Sequence, residues 1–353
     1  MRFDQRRAMN RLRWQTVIGA VLTLLLLAWT LRDVQPQALL QQLRGANIGL
    51  LLLAALVATA IFPLRALRWV VLLEPIAPTL RFMDAWRAVA IGMMINNVLP
   101  ARAGEFARAY ALSRETAAVP FASALASIAL DRMFDALIVF ALMFGAMLAP
   151  GFPAGAMIAG QPATALIGTW GVAVLLVVFG GAMLVALRPE IFRAIATRLV
   201  RAARPRWEPR VAGFVQQATE GLAVLRSPSR FARVICWTVL HWLTNALAFW
   251  LAFRAVGITA PFSAALFLQG LVSIGVAIPS SPGFFGPFEA FAKVGLQIYA
   301  VPVTLAVTWA VGFHLLSFVP ITALGAFYFS RLGLSLSEMR ATSTHTQATP
   351  RDA

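Results

Sequence analysis

The chain has little of what most soluble proteins rely on. Only 12% of its 353 residues are charged, and it contains one cysteine and one lysine. The single cysteine, Cys236, excludes an intrachain disulfide and a cysteine-based metal site, and it is expected to pack in the core of an apolar helix. A glycine-rich phosphate loop with a lysine is missing, which argues against a nucleotide site. Little sequence is left for a soluble domain.

Apolar residues fill most of the chain. The sequence is 60% hydrophobic and has a mean hydropathy of +0.77. Several runs reach the roughly 20 residues that a helix needs to cross a bilayer. The predicted spans are 14–31, 46–64, 120–149, 164–187, 234–253 and 303–330, with further apolar stretches at 82–99 and 262–278. The pattern predicts an all-α polytopic integral membrane protein whose first span is not a cleaved signal.

Basic residues lie mainly between the spans. The net charge is +16, and every basic residue except Lys293 is an arginine. Arginines in loops between apolar spans indicate topology rather than nucleic-acid binding. They are concentrated at 1–13, in the loop 65–81, in the segment 188–233 and in the tail. Both termini are therefore predicted to be cytoplasmic.

The same pattern divides the chain into regions. Residues 1–13 are predicted to be a basic cytoplasmic N-terminus, 14–331 a single transmembrane domain and 332–353 a disordered cytoplasmic tail. Within the domain, 188–233 is predicted to be a basic, amphipathic cytoplasmic segment. We favour an ordinary connector there, and a helix pair bound to anionic lipid head groups is the alternative.

Two apolar segments resemble each other. Each is interrupted by proline and glycine and is followed by a glutamate, Glu105 or Glu289. Matching interruptions in two halves of a membrane protein point to a transport site. The residues at the two breaks are Pro100 and Gly104 in the first segment, and Pro279, Pro282, Gly283 and Gly286 in the second.

The interrupted segments predict two helical hairpins, at about 82–118 and 262–300. Their second halves, 105–117 and 287–299, are short for a span. We therefore expect about six full spans and two re-entrant hairpins. The loop charges give the hairpins opposite orientations, as an inverted repeat would. The alternative, in which each hairpin crosses twice, makes ten crossings with the same sidedness.

Three charged residues surround the first break: Arg102, Glu105 and Arg108. Ionisable groups in a membrane are costly and suggest function. The two arginines could bind an anionic head group, since a planar guanidinium binds two phosphate oxygens. Glu105 would orient them or take a proton, and it can also share a helix face with Arg108. The structural alternative is an ion pair and cap that stabilise the break.

The long apolar segment 120–149 carries Asp131, Arg132 and Asp135. The two aspartates lie on one helix face and would repel unless a cation lies between them. Arg132, Arg102 and Arg108 are the candidates. A divalent metal held by both carboxylates is a weaker alternative, and we expect no metal and no other cofactor.

In the second half, Glu289 and Lys293 are four residues apart and predict a helix ion pair. This pair is interpreted either as substrate-facing or as a buried salt bridge. His314 lies in the last span and could relay a proton, although a hydrogen-bonded core residue is the commoner case.

Together these motifs resemble the lysylphosphatidylglycerol-synthase transmembrane, or flippase-like, family. The resemblance rests on Pro100-x-Arg102-x-Gly104-Glu105-x-x-Arg108, Asp131-Arg132-x-x-Asp135 and Pro279-x-x-Pro282-Gly283-x-x-Gly286-x-x-Glu289. Two positions depart from the pattern, where a glutamate is expected at Asp131 and a glycine at Phe284. The resemblance implies a bacterial inner-membrane protein that moves lipids or lipid-linked molecules between leaflets. It also implies that the charged residues of the three motifs line or brace a central site.

The sequence thus predicts a transporter-like protein rather than an enzyme, with no catalytic residues and no synthase activity. Its expected substrate is a membrane lipid, anionic or polyprenyl-linked, and no nucleic acid is expected as a partner. Protein partners stay open between a second copy of the chain and a separate biosynthetic enzyme. Two other functions stay open, an enzyme acting on a prenyl or lipid phosphate and a non-transporting accessory subunit.

Overall fold

The computed structural model is mainly helical over the residues that it describes. It describes residues 21–99, 102–153, 155–158, 160–162, 188–203, 227–277 and 282–334, with isolated positions between 165 and 180. The helices are α1 (Val21–Leu31, the described part), α2 (Pro36–Arg44), α3 (Ile48–Leu73), α4 (Phe82–Val98), α5 (Ala103–Glu115), α6 (Phe121–Met147), α7 (Pro189–Ala203), α8 (Pro228–Ala255), α9 (Phe262–Ala277), α10 (Pro287–Ile298) and α11 (Val303–Arg331). A small hairpin of two strands, β1 (Met157–Ile158) and β2 (Gln161–Pro162), lies between α6 and α7.

The helices agree with most predicted apolar segments. Among the described residues, α3, α8 and α11 are long and apolar enough to cross a membrane by length and composition. The helix α6 is as long, with 27 residues, but carries three charges. Several predictions lie outside the described residues: the N-terminus 1–13, nearly all of the span 164–187, positions 204–226 of the basic segment, Pro100, Pro279 and the tail from 335 onward.

The helices form two consecutive repeats. In each, a long helix is followed by two short ones and a second long helix. Their lengths are 26, 17, 13 and 27 residues in α3 to α6 and 28, 16, 12 and 29 residues in α8 to α11. The two interrupted segments therefore resemble each other together with the long helices that precede and follow them.

The packing between the repeats follows a pseudo-two-fold relation. The first helices of the two repeats, α3 and α8, pack on each other. The second helix of each repeat packs on the last helix of the other, so that α4 contacts α11 and α9 contacts α6. A two-fold arrangement of repeats produces reciprocal contacts of this kind, because each half then packs on the other in the same way.

Two apolar cores surround the hairpins, and each is formed mainly by the helices of one repeat. The core of the first repeat includes Trp69, Ile91 and Ile128. The core of the second is aromatic, and Phe249 lies with its ring centroid 4.9 Å from Phe313 and 5.0 Å from Trp309. Edge-to-face and offset pairs of this kind add to the energy of simple burial.

Glycines allow the two arms of the first hairpin to approach closely. A Cβ on Gly104 would overlap the carbonyl oxygen of Gly92 on the facing helix. The Gly104 N–H also donates to Asn96 Oδ1 at 2.8 Å. Arg102, just before α5, adopts a left-handed backbone with φ 54°. These contacts define the turn between α4 and α5 that the sequence predicts as a break.

Two expectations about single residues are wrong. Arg65 and Arg68 belong to α3 and are buried, so they are not part of a cytoplasmic loop. The helix continues past the predicted end of the span at residue 64 to Leu73, about two and a half further turns of apolar and basic residues. Cys236 is exposed on α8 rather than packed in the core, since the other face of that helix contacts its neighbours.

Candidate functional site

The two hairpin breaks meet. Arg102 precedes α5 in the first break, and its Nη2 donates to the carbonyl oxygen of Val276 near the end of α9, at 2.9 Å. Its guanidinium carbon lies 5.8 Å from the centre of the Phe284 ring in the second break. A cation is favourable at a helix C-terminus, where carbonyl groups lack helical partners. Arg102 therefore joins the two breaks directly.

A buried cluster of charges lies beside the first break. Arg68 on α3 contacts Asp131 Oδ1 at 2.5 Å and Asp135 Oδ1 at 2.7 Å, and its side chain is fully buried. Arg65, one turn earlier, contacts Asp135 Oδ2 at 2.8 Å. The indole N–H of Trp242 on α8 also donates to Asp135, at 3.1 Å. Arginines from α3 thus neutralise the repulsion between the two aspartates of α6.

Arg108 supplies a further cation to this cluster. Its Nη1 contacts Asp131 Oδ2 at 3.1 Å, and its guanidinium lies 3.8 Å from the centre of the Trp69 ring. The indole N–H of Trp69 donates to Ser127 at 2.8 Å, which fixes the ring against the guanidinium. A cation over an aromatic face is stabilised by the ring quadrupole. The predicted pairing of Arg108 with Glu105 is wrong, because Arg108 points to α6.

Glu105 lies between two other arginines at the rim of the cluster. Its Oε1 accepts from Arg132 Nε at 2.9 Å and is 3.9 Å from Arg102 Nη1. The exposed fractions of the three side chains are 39% for Arg102, 34% for Arg132 and 25% for Glu105. These groups are accessible, whereas the cluster below them is buried.

The site has an excess of positive charge. Its members are the guanidinium groups of Arg65, Arg68, Arg102, Arg108 and Arg132 and the carboxylates of Glu105, Asp131 and Asp135. Five cations and three anions leave two positive charges without a carboxylate. The Nε groups of Arg65, Arg68 and Arg108 are buried and have no hydrogen-bond acceptor within the described part of the chain. Such an arrangement favours an anion.

The second break contains a different polar pair. Glu289 Oε2 accepts from the Gly286 N–H at 2.7 Å and so caps the start of α10. Its Oε1 lies 2.6 Å from Nδ1 of His314 on α11. The other ring nitrogen of His314, Nε2, lies 2.8 Å from the carbonyl oxygen of Gly283. Glu289 and His314 are both buried.

The predicted pair of Glu289 with Lys293 is wrong. Lys293 points away from the break, and its Nζ contacts Asp33 at 2.8 Å and the carbonyl oxygens of Trp29 and Thr30 at 3.3 Å. Its hydrogen bond to Asp33 lowers the pKa of that exposed carboxyl group. Lys293 therefore fastens the end of α1 to α10, and the one lysine of the chain lies outside the charged cluster.

The structure collects most of the predicted site residues and adds two, Arg65 and Arg68. Arg102, Glu105, Arg108, Asp131, Arg132 and Asp135 form one network of ion pairs, which Arg68 completes. Arg65 and Arg68 were missed, and so was the pairing of His314 with Glu289. The first two could have been found from the continuing apolar pattern of α3, since an arginine there shares a helix face with apolar residues. No signal along the chain links His314 to Glu289.

The departure at Phe284 also has a structural consequence. Phe284 adopts a left-handed backbone with φ 61°, next to Gly283 with φ 68°. Glycine adopts this conformation without the steric cost that a Cβ adds, which explains why a glycine is expected at this position. The phenylalanine side chain that replaces it lies against Arg102.

Comparison with known proteins agrees with the fold. The family model described as "Lysylphosphatidylglycerol synthase TM region" matches residues 16–325. Glycosyltransferase AglD of Haloferax volcanii is 26% identical over 317 residues, which cover 83% of this chain and 50% of that protein. A UPF0104 membrane protein of Methanothermobacter thermautotrophicus is 24% identical over 326 residues, which cover 89% of this chain and 91% of that protein. The chain thus spans about half the length of AglD.

Proposed function

Because the chain belongs to the lysylphosphatidylglycerol synthase transmembrane-region family, we propose that it moves a lipid or lipid-linked molecule with an anionic head group between membrane leaflets. The observation that carries the proposal is the positive excess where the hairpin breaks meet. Arg102 and Arg132 are partly exposed there and share Glu105. A phosphate would receive charge-assisted hydrogen bonds from both guanidinium groups.

The buried cluster below would hold this rim in position. Arg68 connects α3 to α6 through both aspartates, and Arg108 connects α5 to α6. A head group at the rim would therefore lie above a rigid, positively charged floor, with its acyl or prenyl chains left in the bilayer. Charged groups that are fixed in advance bind an anion without a further cost of ordering.

In this proposal the protein lies in a bacterial inner membrane with both termini in the cytoplasm. The α4–α5 and α9–α10 hairpins are re-entrant from opposite sides, with full spans around them. Each hairpin would open in turn toward its own leaflet. The matching repeat lengths and exchanged contacts support this arrangement, which is common among transporters with inverted repeats.

Leaflet movement in reconstituted liposomes tests the proposal. The panel contains labelled phosphatidylglycerol, phosphatidylcholine, polyprenyl phosphate and a sugar-bearing polyprenyl phosphate. The last is included because a relative is named as a glycosyltransferase. Wild type is compared with Arg102→Ala, Glu105→Gln and Arg132→Gln. We expect movement of an anionic class that slows by about tenfold or more in Arg132→Gln, as losing one charge-assisted bond predicts.

The control is Arg254→Gln, which removes an arginine beside Trp250 at the end of α8. It should move lipid at the wild-type rate. Full activity in all three site variants would show that the rim does not bind the transported head group. Movement of phosphatidylcholine alone would exclude the anionic specificity.

The enzyme alternative requires Asp131 and Asp135 to hold a metal on a prenyl or lipid phosphate. Asp131 already contacts two arginines and Asp135 three, which disfavours this alternative. It predicts a covalently altered lipid that forms only with metal. The accessory-subunit alternative predicts instead that deletion of the basic segment 188–233 abolishes function while variants at the breaks have no effect.

A further inference from the structure

The repeats place the same pair of side chains at equivalent positions. Glu105 is the third residue of α5 and Glu289 the third residue of α10. Glu105 contacts Arg132, the twelfth residue of α6, and Glu289 contacts His314, the twelfth residue of α11. One glutamate is thus paired with a guanidinium, which stays charged, and its counterpart with an imidazole, which can bind or release a proton.

The acceptors around His314 determine where protons lie. The Gly283 carbonyl oxygen can only accept, so Nε2 must carry a hydrogen to bond to it at 2.8 Å. Nδ1 lies 2.6 Å from Glu289 Oε1, and that contact also needs a hydrogen. Since Oε2 of Glu289 accepts from Gly286, the second hydrogen lies between Nδ1 and Oε1.

We propose that Glu289 and His314 form a proton-binding site that closes the second hairpin break when it is occupied. The bound proton is carried by His314 as an imidazolium or by Glu289 as a carboxylic acid, and the pair is neutral in either form. In the first form it reproduces the Glu105–Arg132 ion pair of the other repeat. Phe285 and Phe288 enclose the imidazole, each with a ring centroid 4.4 Å away.

Loss of the proton must break one of the two contacts. A neutral His314 with its hydrogen on Nδ1 keeps Glu289 but turns the Nε2 lone pair toward the Gly283 oxygen, which repels it. The other tautomer keeps Gly283 and turns the Nδ1 lone pair toward a carboxylate. The first tautomer retains the charge-assisted bond and releases Gly283. The released proton goes to solvent. Because the hydrogen bond from His314 to the Gly283 carbonyl oxygen is lost, the break loosens beside Phe284, which contacts Arg102.

The sign of the pH dependence follows from this chemistry. The closed break binds one more proton than the open one, so closing is favoured at low pH and lost as the pH rises. Among the described residues, α10 carries one other charged group, Lys293, which is paired with Asp33, and the first break contributes Arg102, beside Glu105. Use of this proton to drive lipid movement rests on the proposed function, whereas the proton site itself does not.

Amide hydrogen exchange in nanodiscs, corrected for the intrinsic effect of pH, tests the site. We expect the protection of 282–298 in wild type to fall by about tenfold or more between about pH 5 and pH 8, the range in which an imidazole ordinarily changes its charge. In Glu289→Gln the side-chain amide can donate a hydrogen bond to Nδ1 of His314 at every pH, and its oxygen still accepts from the Gly286 N–H. This variant should keep 282–298 protected at every pH. His314→Phe should leave the segment unprotected at every pH.

The matched control is His241→Asn, which removes another buried histidine but keeps a donor for the carbonyl oxygen of Ile61. It should show the wild-type response to pH. A wild-type protection that does not change with pH would overturn the proposal, and so would a pH response that survives in Glu289→Gln. Both results come from the protein alone, so they are independent of whether any lipid moves.

Discussion

Individual charged residues decide the chemistry of this protein. Asp131 and Asp135 are recognisable in the sequence as carboxylates in an apolar helix, and Arg108 and Arg132 as candidate partners. The buried arginines that contact these aspartates, Arg65 and Arg68, lie on α3, more than 60 residues away in the chain. Spacing along one helix predicts which groups share a face, but it does not identify the groups opposite that face.

Removing Arg68 should destabilise the protein strongly. Arg68→Leu leaves two buried carboxylates with fewer cations, and breaking a buried ion pair in this way costs about 3–5 kcal/mol. The thermal midpoint of the purified protein in detergent should fall accordingly. The exposed Arg254→Leu serves as the control and should change the stability by less than about 1 kcal/mol. A stable Arg68→Leu variant would show that Arg65 and Arg108 alone satisfy the aspartates.

At the scale of helices, the two hairpins are determined by glycine as much as by proline. The sequence predicts both breaks from Pro100, Gly104, Pro282, Gly283 and Gly286. The sequence does not show that Gly104 is also the residue at which α5 packs closely on α4. Close approach of two helices needs small residues on both sides, and the partner of a glycine is visible only once the helices are packed.

Gly104→Ala should force α4 and α5 apart. The new Cβ would meet the Gly92 carbonyl oxygen and the side chain of Asn96, neither of which can move without opening the hairpin. Overpacking of this kind costs about 1–3 kcal/mol. Gly145→Ala on α6 is the control, because a Cβ there meets nothing within 4 Å.

The control should stabilise α6 by about 0.5–1 kcal/mol, since alanine is the better helix former. Thermal unfolding in detergent measures both changes. Equal midpoints for the two variants would mean that the hairpin tolerates a wider separation than its close contacts indicate.

The whole molecule is a pair of repeats whose breaks meet. The similarity of the two interrupted segments predicts repeats, and the lengths of α3 to α6 and α8 to α11 agree with that prediction. The contact of Arg102 with Val276 and Phe284 is a property of the assembled repeats. It makes one site from two breaks that are about 180 residues apart in the chain.

Thiol labelling tests whether the first hairpin is re-entrant. In a Cys236→Ser background, cysteines are placed one at a time at Gln35, Leu99 and Arg81 and treated with a membrane-impermeant reagent from outside. Re-entrant topology predicts labelling at Gln35 only. A hairpin that crosses the membrane twice would bring Leu99 to the outer surface, where it would also be labelled.

The sequence by itself determined the membrane class, the helical segments, the two breaks and the charged residues of the first break and of α6. These follow from hydropathy, from helical spacing and from proline and glycine, which act locally along the chain. Only the tertiary structure decided the partners: Arg68 for both aspartates, Asp33 for Lys293 and His314 for Glu289. The reason is physical, since a buried charge is stabilised by whichever opposite group packing brings within a few ångströms, and packing joins distant segments.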